Sequence, residues 1–120
     1  MTGDVRTRIR TTAALRAGWA LVLLTLPEQL LRAGGAGPVP AAAVAVVRVL
    51  GARHLLQAAV SAGVPSRSVA GLGALADLTH AGSCVALAIG SRRWRRAALA
   101  DAVIEAGFAA AGWSCRPGRR

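Results

Sequence analysis

The stretch VRVLGARHLLQAAV, residues 47–60, places Arg48, Arg53 and His54 inside a run otherwise made of valine, leucine, alanine, glycine and one glutamine. A helix turns about 100° per residue, so Arg53 and Gln57 share a face, while His54 points about 100° away and Arg48 about 140° the other way. No single stripe holds all of them. The helix that carries them is expected either to sit among several partner helices or to present one of these residues to another subunit.

Composition indicates what surrounds that helix. Of the 120 residues 54% are hydrophobic and 28 are alanine, with no lysine and no tyrosine, and the mean hydropathy is +0.48. Fifteen arginines without a lysine, beside abundant alanine, glycine and proline, read as the codon bias of a GC-rich genome. A net charge of +10 in a polar protein would point to nucleic acid. Here Arg6, Arg8 and Arg10 precede the first apolar run, Arg92, Arg93, Arg95 and Arg96 separate two runs, and Arg116, Arg119 and Arg120 follow the last. Charge at the borders of apolar segments is the membrane pattern, and aromatics that would stack on bases are nearly absent. No nucleic-acid partner is expected.

Four apolar runs, about 12–32, 41–62, 69–90 and 97–113, approach the ~20 residues that cross a bilayer. GGAGPVP, GVPSR and SRRWRR separate them, and connections this short make neighbouring helices antiparallel. The fold class expected is all-α, a bundle of four antiparallel transmembrane helices. Basic tails, residues 1–11 and 114–120, flank a membrane domain at 12–113. Pro27 is expected to kink or end the first helix near Thr25. That run is read as a retained helix in a multi-pass cell-membrane protein, although AGGAGPVPA could pass as a signal cleavage site. Both termini are assigned to the cytoplasmic side.

Counting about 1.5 Å per residue from the side of the first and third loops gives each polar residue a depth. Glu28 and Asp101 fall at about 6–7 Å, Arg48 and Glu105 at about 10–12 Å, and Arg53, His54, Asp77 and His80 at about 15–20 Å. Intramembrane charges normally face the bundle interior and pair. The expected pairs are Arg48 with Glu105 and Arg53 with Asp77. Four acids against two arginines imply a protonated acid or a charged histidine at rest.

Asp77, His80 and Cys84 share one stripe of the third helix and are metal-ligand types, which His54 could join from the second. Tight ligand spacing is missing, and so is any other support for a haem between His54 and His80. No cofactor and no metal are expected. Cys84 and Cys115 fall toward opposite membrane faces and are expected as free thiols. Glycine and alanine on the third and fourth helices suit close helix packing, and Trp94 and Trp113 fall where indoles prefer the interface.

RVLGARHLLQ, DLTHAGS and RRAALADAVIEAGFA together resemble small four-helix membrane proteins common in actinobacteria, to which no reaction is assigned. The chain is more loosely similar to DoxX-like membrane proteins, which share an arginine after a Gly-Ala pair on the second helix, here Gly51, Ala52 and Arg53. The resemblance spans about residues 40–112 and implies an integral membrane protein with no catalytic residue to carry over.

GxSxG, HExxH, P-loop and CxxC motifs are missing, which weighs against an enzyme. Two readings remain. In one, Arg48, Arg53, His54, Asp77, His80, Asp101 and Glu105 give packing specificity to a structural or accessory bundle. In the other, the same layer relays protons or binds a small ligand. The partners expected are the lipid bilayer and either another membrane protein or a second copy of the chain.

Overall fold

The computed structural model describes residues 1–35 and 37–115, and among these all regular structure is helical. Five helices follow in order: α1 Gly3–Thr25, α2 Pro27–Ala33, α3 Ala41–Gly63, α4 Arg67–Gly90 and α5 Arg95–Ser114. Most of the tail expected at 1–11 is the start of α1. Of the expected basic tail at 114–120, Arg116, Arg119 and Arg120 lie outside the described residues.

Local chemistry accounts for the boundaries. Proline lacks an amide hydrogen and clashes with the preceding turn, so α1 stops at Thr25 and Pro27 opens α2. The two helices meet at 89°. Gly35 and Gly37, both at φ +73, form the turn that follows, a conformation glycine adopts without steric cost. Ser66 caps α4 by accepting a hydrogen bond from the Val69 amide at 3.1 Å.

α1 packs antiparallel along α3, and α4 antiparallel along α5. Small residues set both approaches. A Cβ on Gly51 would stand 2.9 Å from Leu24 and 3.1 Å from the Ala20 carbonyl, and one on Gly112 would stand 2.8 Å from the Ala70 carbonyl. Between α4 and α5, Cys84 and Ala88 meet Ala98 and Ala102. The two pairs approach one another mainly through side chains. At one end Ile9, Ala70 and Cys115 cluster and Arg8 donates to Ser114 at 2.8 Å. At the other, Arg93 donates to the Pro38 carbonyl at 2.6 Å. Cys84 and Cys115 are both free thiols.

The interior is alanine and charge, with Ile9, Leu23 and Leu31 the only large aliphatic side chains buried among the described residues. Leucine and valine face outward instead, including Leu15, Leu21, Val49, Leu56, Leu72, Leu75 and Val103. α3 and α4 are each long and apolar enough to cross a membrane, and α1 with α2 qualifies only as one bent pair. Of the four apolar runs expected to span, two qualify as single helices, or three with the bent pair counted as one. α5 carries Arg95, Arg96, Asp101 and Glu105 and is otherwise rich in alanine, which contributes little transfer energy.

Two glycines of α5 test the close packing. Gly107→Ala meets nothing within 4 Å and should be neutral or slightly stabilising. Gly112→Ala drives a methyl group into backbone and should cost about 1–3 kcal/mol in detergent unfolding titrations.

Candidate functional site

Asp77 on α4 is fully buried where the two helix pairs meet. Arg16 of α1 grips it with both arms, Nη1 to Oδ1 at 2.9 Å and Nη2 to Oδ2 at 2.5 Å. Such a fork matches the carboxylate plane and is the strong form of this pair. From α3, Arg53 adds 2.8 Å and Gln57 adds 3.2 Å, both to Oδ1. Three helices therefore converge on one carboxylate.

The fourth is joined through His54. Arg16 Nη1 lies 3.1 Å from His54 Nδ1, and because a guanidinium only donates, Nδ1 must accept. His54 Nε2 lies 2.5 Å from Glu105 Oε1 of α5, a close contact whose angles do not make a hydrogen bond. Arg53 reaches Glu105 Oε2 at 3.5 Å. Phe108 closes the layer, its ring centroid 4.3 Å from the Arg16 guanidinium carbon and 5.9 Å from the centre of the His54 ring. Two arginines thus face two carboxylates in this layer.

The structure thus joins Arg53 to Asp77 as the sequence suggested. It does not join Arg48 to Glu105. Arg48 is exposed and forms no ion pair among the described residues, while Glu105 faces Arg53 and His54. Arg48 lies about 7.5 Å nearer the start of α3 than Arg53, and helix rotation turns it outward. Arg16 was missed: on the scale that puts Glu28 at about 6–7 Å it falls about 24–25 Å deep, below the band of Arg53 and Asp77, because the count runs straight through the 89° bend at Pro27. From the Thr25 end of α1 Arg16 is nine residues, about 13.5 Å, away. Glu28 stays exposed on α2, 3.3 Å from Arg32.

His80 leaves this layer. Its Nε2 lies 2.8 Å from Asp101 Oδ2, and Cys84 Sγ is 3.4 Å from each. The stripe of Asp77, His80 and Cys84 therefore divides, Asp77 going to the arginines and the other two to Asp101, away from His54. This second cluster lines a cavity of about 810 Å³ between the helix pairs. Leu30, Leu31, Val47, Leu50 and Ile104 make much of its apolar wall, with Trp19, Trp94 and Arg96 beside them. Trp19 Nε1 and Asp101 Oδ1 are shielded from solvent and have no hydrogen-bond partner among the described residues.

Comparison with known proteins gives no match to any family model, curated protein or solved structure.

Arg16→Ala strands Asp77 and should cost about 3–5 kcal/mol of stability, against less than about 0.5 kcal/mol for Arg48→Ala, in detergent unfolding titrations. Arg16→Leu combined with Asp77→Leu should cost less than either change alone. Strict additivity would show that the fork does not hold the pairs together.

Proposed function

We propose that the chain is a multi-pass membrane protein in which α1, α3, α4 and α5 all cross the bilayer as an antiparallel bundle. In this reading, the cavity between its helix pairs binds a small lipophilic molecule with an oxygen-acceptor head. One observation carries the membrane reading: large apolar groups face out and charged groups face in. On α1 from Thr11 to Thr25 and on α5 from Ala97 to Ser114 no exposed residue is charged. Arg16 and Glu105 are buried, and Asp101 is largely covered. Their low hydropathy as strings is therefore no obstacle to spanning, because the charges are screened from lipid.

Outward hydroxyls follow the same rule. Thr25, Thr79 and Ser83 bond back to the carbonyls of Leu21, Leu75 and Thr79 at 2.6, 2.9 and 3.1 Å, which is how such groups are satisfied where water is absent. Arg48, about 10 Å from the start of α3, is the exception, and its long stem lets the guanidinium snorkel to the headgroups.

The ligand reading is supported by the cavity's size and by its few polar groups. Pockets of about 300–1,000 Å³ with apolar walls and a few placed polar atoms are the usual form of small-molecule sites. The unpartnered Trp19 indole and the Arg96 guanidinium are donors only, so they select an acceptor such as a carbonyl or carboxylate oxygen. The Arg16, Arg53, His54, Asp77 and Glu105 layer is read as a structural clamp. The Asp77 carboxylate is engaged by Arg16, Arg53 and Gln57, which favours the clamp over a proton relay, although Arg53 Nη1 and Glu105 Oε1 have no hydrogen-bond partner among the described residues. A purely accessory bundle is the second reading, favoured by that closed clamp.

Single cysteines at positions 2, 37, 66, 91 and 114, with Cys84 and Cys115 replaced by alanine, test the spans. Positions 2, 66 and 114 should label from one membrane side, and 37 and 91 from the other. Labelling of 91 and 114 from the same side would remove α5 from the membrane.

The cavity reading is tested with decylubiquinone in detergent. It should quench Trp19 and Trp94 fluorescence saturably in a Trp113→Phe background, and the double change Val47→Phe with Ala100→Phe should abolish saturation. Linear, non-saturating quenching in both would refute it.

A further inference from the structure

We propose that His80, Cys84 and Asp101 form a three-ligand site for a zinc-class divalent cation on the wall of the cavity. The inference goes beyond the lipophile reading and does not depend on it. His80 and Cys84 stand four residues apart on α4, the spacing that puts two side chains one above the other on a helix face. Asp101 projects from α5, across the close alanine contact of Ala88 with Ala98 and Ala102.

Imidazole nitrogen, thiolate sulfur and carboxylate oxygen are the zinc-binding set. Their atoms form a triangle with sides of 2.8 Å for His80 Nε2 to Asp101 Oδ2 and 3.4 Å from Cys84 Sγ to each. A tetrahedral ion with bonds of about 2.0–2.1 Å to nitrogen and oxygen and about 2.3 Å to sulfur separates its ligands by about 3.3–3.6 Å. Both sulfur edges match as they stand. The His80 to Asp101 edge must open by about half an ångström, which a single side-chain torsion supplies.

An independent observation supports an added partner. Asp101 Oδ1 is shielded from solvent and receives no hydrogen bond among the described residues. A carboxylate with one buried oxygen left bare is costly, and a cation held bidentately by Asp101, through Oδ1 as well as the Oδ2 of the triangle, removes the cost. Binding exchanges the Cys84 thiol proton, released to water, for a metal–sulfur bond. The thiolate and the Asp101 carboxylate then neutralise the two positive charges. Three protein ligands leave the fourth position for water or for a donor atom of a cavity ligand, the arrangement of open rather than structural zinc sites. The cluster lies about 9 Å from the loop at residues 91–94, the nearer helix end for both α4 and α5.

The test uses the full chain in mild detergent, stripped with a chelator and titrated with Co²⁺, with no quinone present. The wild type should take up one equivalent, show thiolate-to-cobalt charge-transfer absorption, and lose it when Zn²⁺ is added. Cys84→Ala should abolish the absorption, Cys115→Ala should keep it, and His80→Ala or Asp101→Asn should weaken affinity at least about tenfold. Zn²⁺ should also slow maleimide alkylation of Cys84 in the wild type, a readout independent of whether any variant folds. A wild type without the absorption, absorption that survives in Cys84→Ala, or alkylation unchanged by Zn²⁺ would overturn the proposal and leave a hydrogen-bonded His80–Asp101 pair. Failure here with saturable quinone quenching intact leaves the cavity reading standing, and the reverse outcome leaves the metal site.

Discussion

The carboxylate of Asp77 is the point on which the arrangement of the helices depends. Arg16 reaches it from α1, and Arg53 and Gln57 reach it from α3, so one residue of α4 is tied to both members of the opposite pair. Elsewhere the buried surface is mostly alanine. Alanine against alanine permits close approach but specifies little. A bidentate arginine fork, by contrast, fixes distance and direction together.

The same constraint accounts for the cavity. Within each pair, glycine and alanine allow the backbones to touch, whereas between the pairs the arginine, histidine and glutamate side chains act as spacers. Beyond the clamp, toward α2, the facing positions include Ala43, Ala97, Ala98 and Ala100, which are too short to fill the space so created. The turn at Pro27 brings Leu30 and Leu31 across as a partial cover. His80, Cys84 and Asp101 stand on the wall of that space, one helical turn past the clamp on α4, so the polar residues divide into a closed layer and an open one.

Outward leucine and inward charge invert the arrangement that water would impose. In water each large apolar side chain left exposed forgoes about 1.5–3 kcal/mol of burial. In a bilayer core the preference reverses, and polar groups gather inside where they can find partners. A single-string hydropathy measure sees only the mean of the two faces. It therefore favours α3 and α4, while the charges of α1 and α5, Arg16, Asp101 and Glu105, are covered by helix rotation.

Much of the local structure was legible in the residues themselves. Pro27 ended α1, the glycine turn and Ser66 marked boundaries, and small residues announced close packing, because these are effects of a residue on its own backbone and neighbours. Depth was legible where a helix runs straight, since rise per residue is constant, and it placed Arg53 beside Asp77. Azimuth was not. Whether Arg48 or Arg53 faces Glu105, and whether His80 turns to Asp77 or to Asp101, depends on how each helix is rotated about its axis. That rotation is set by contacts among residues far apart in the chain, above all the Arg16–Asp77 fork, and only the tertiary structure decides it.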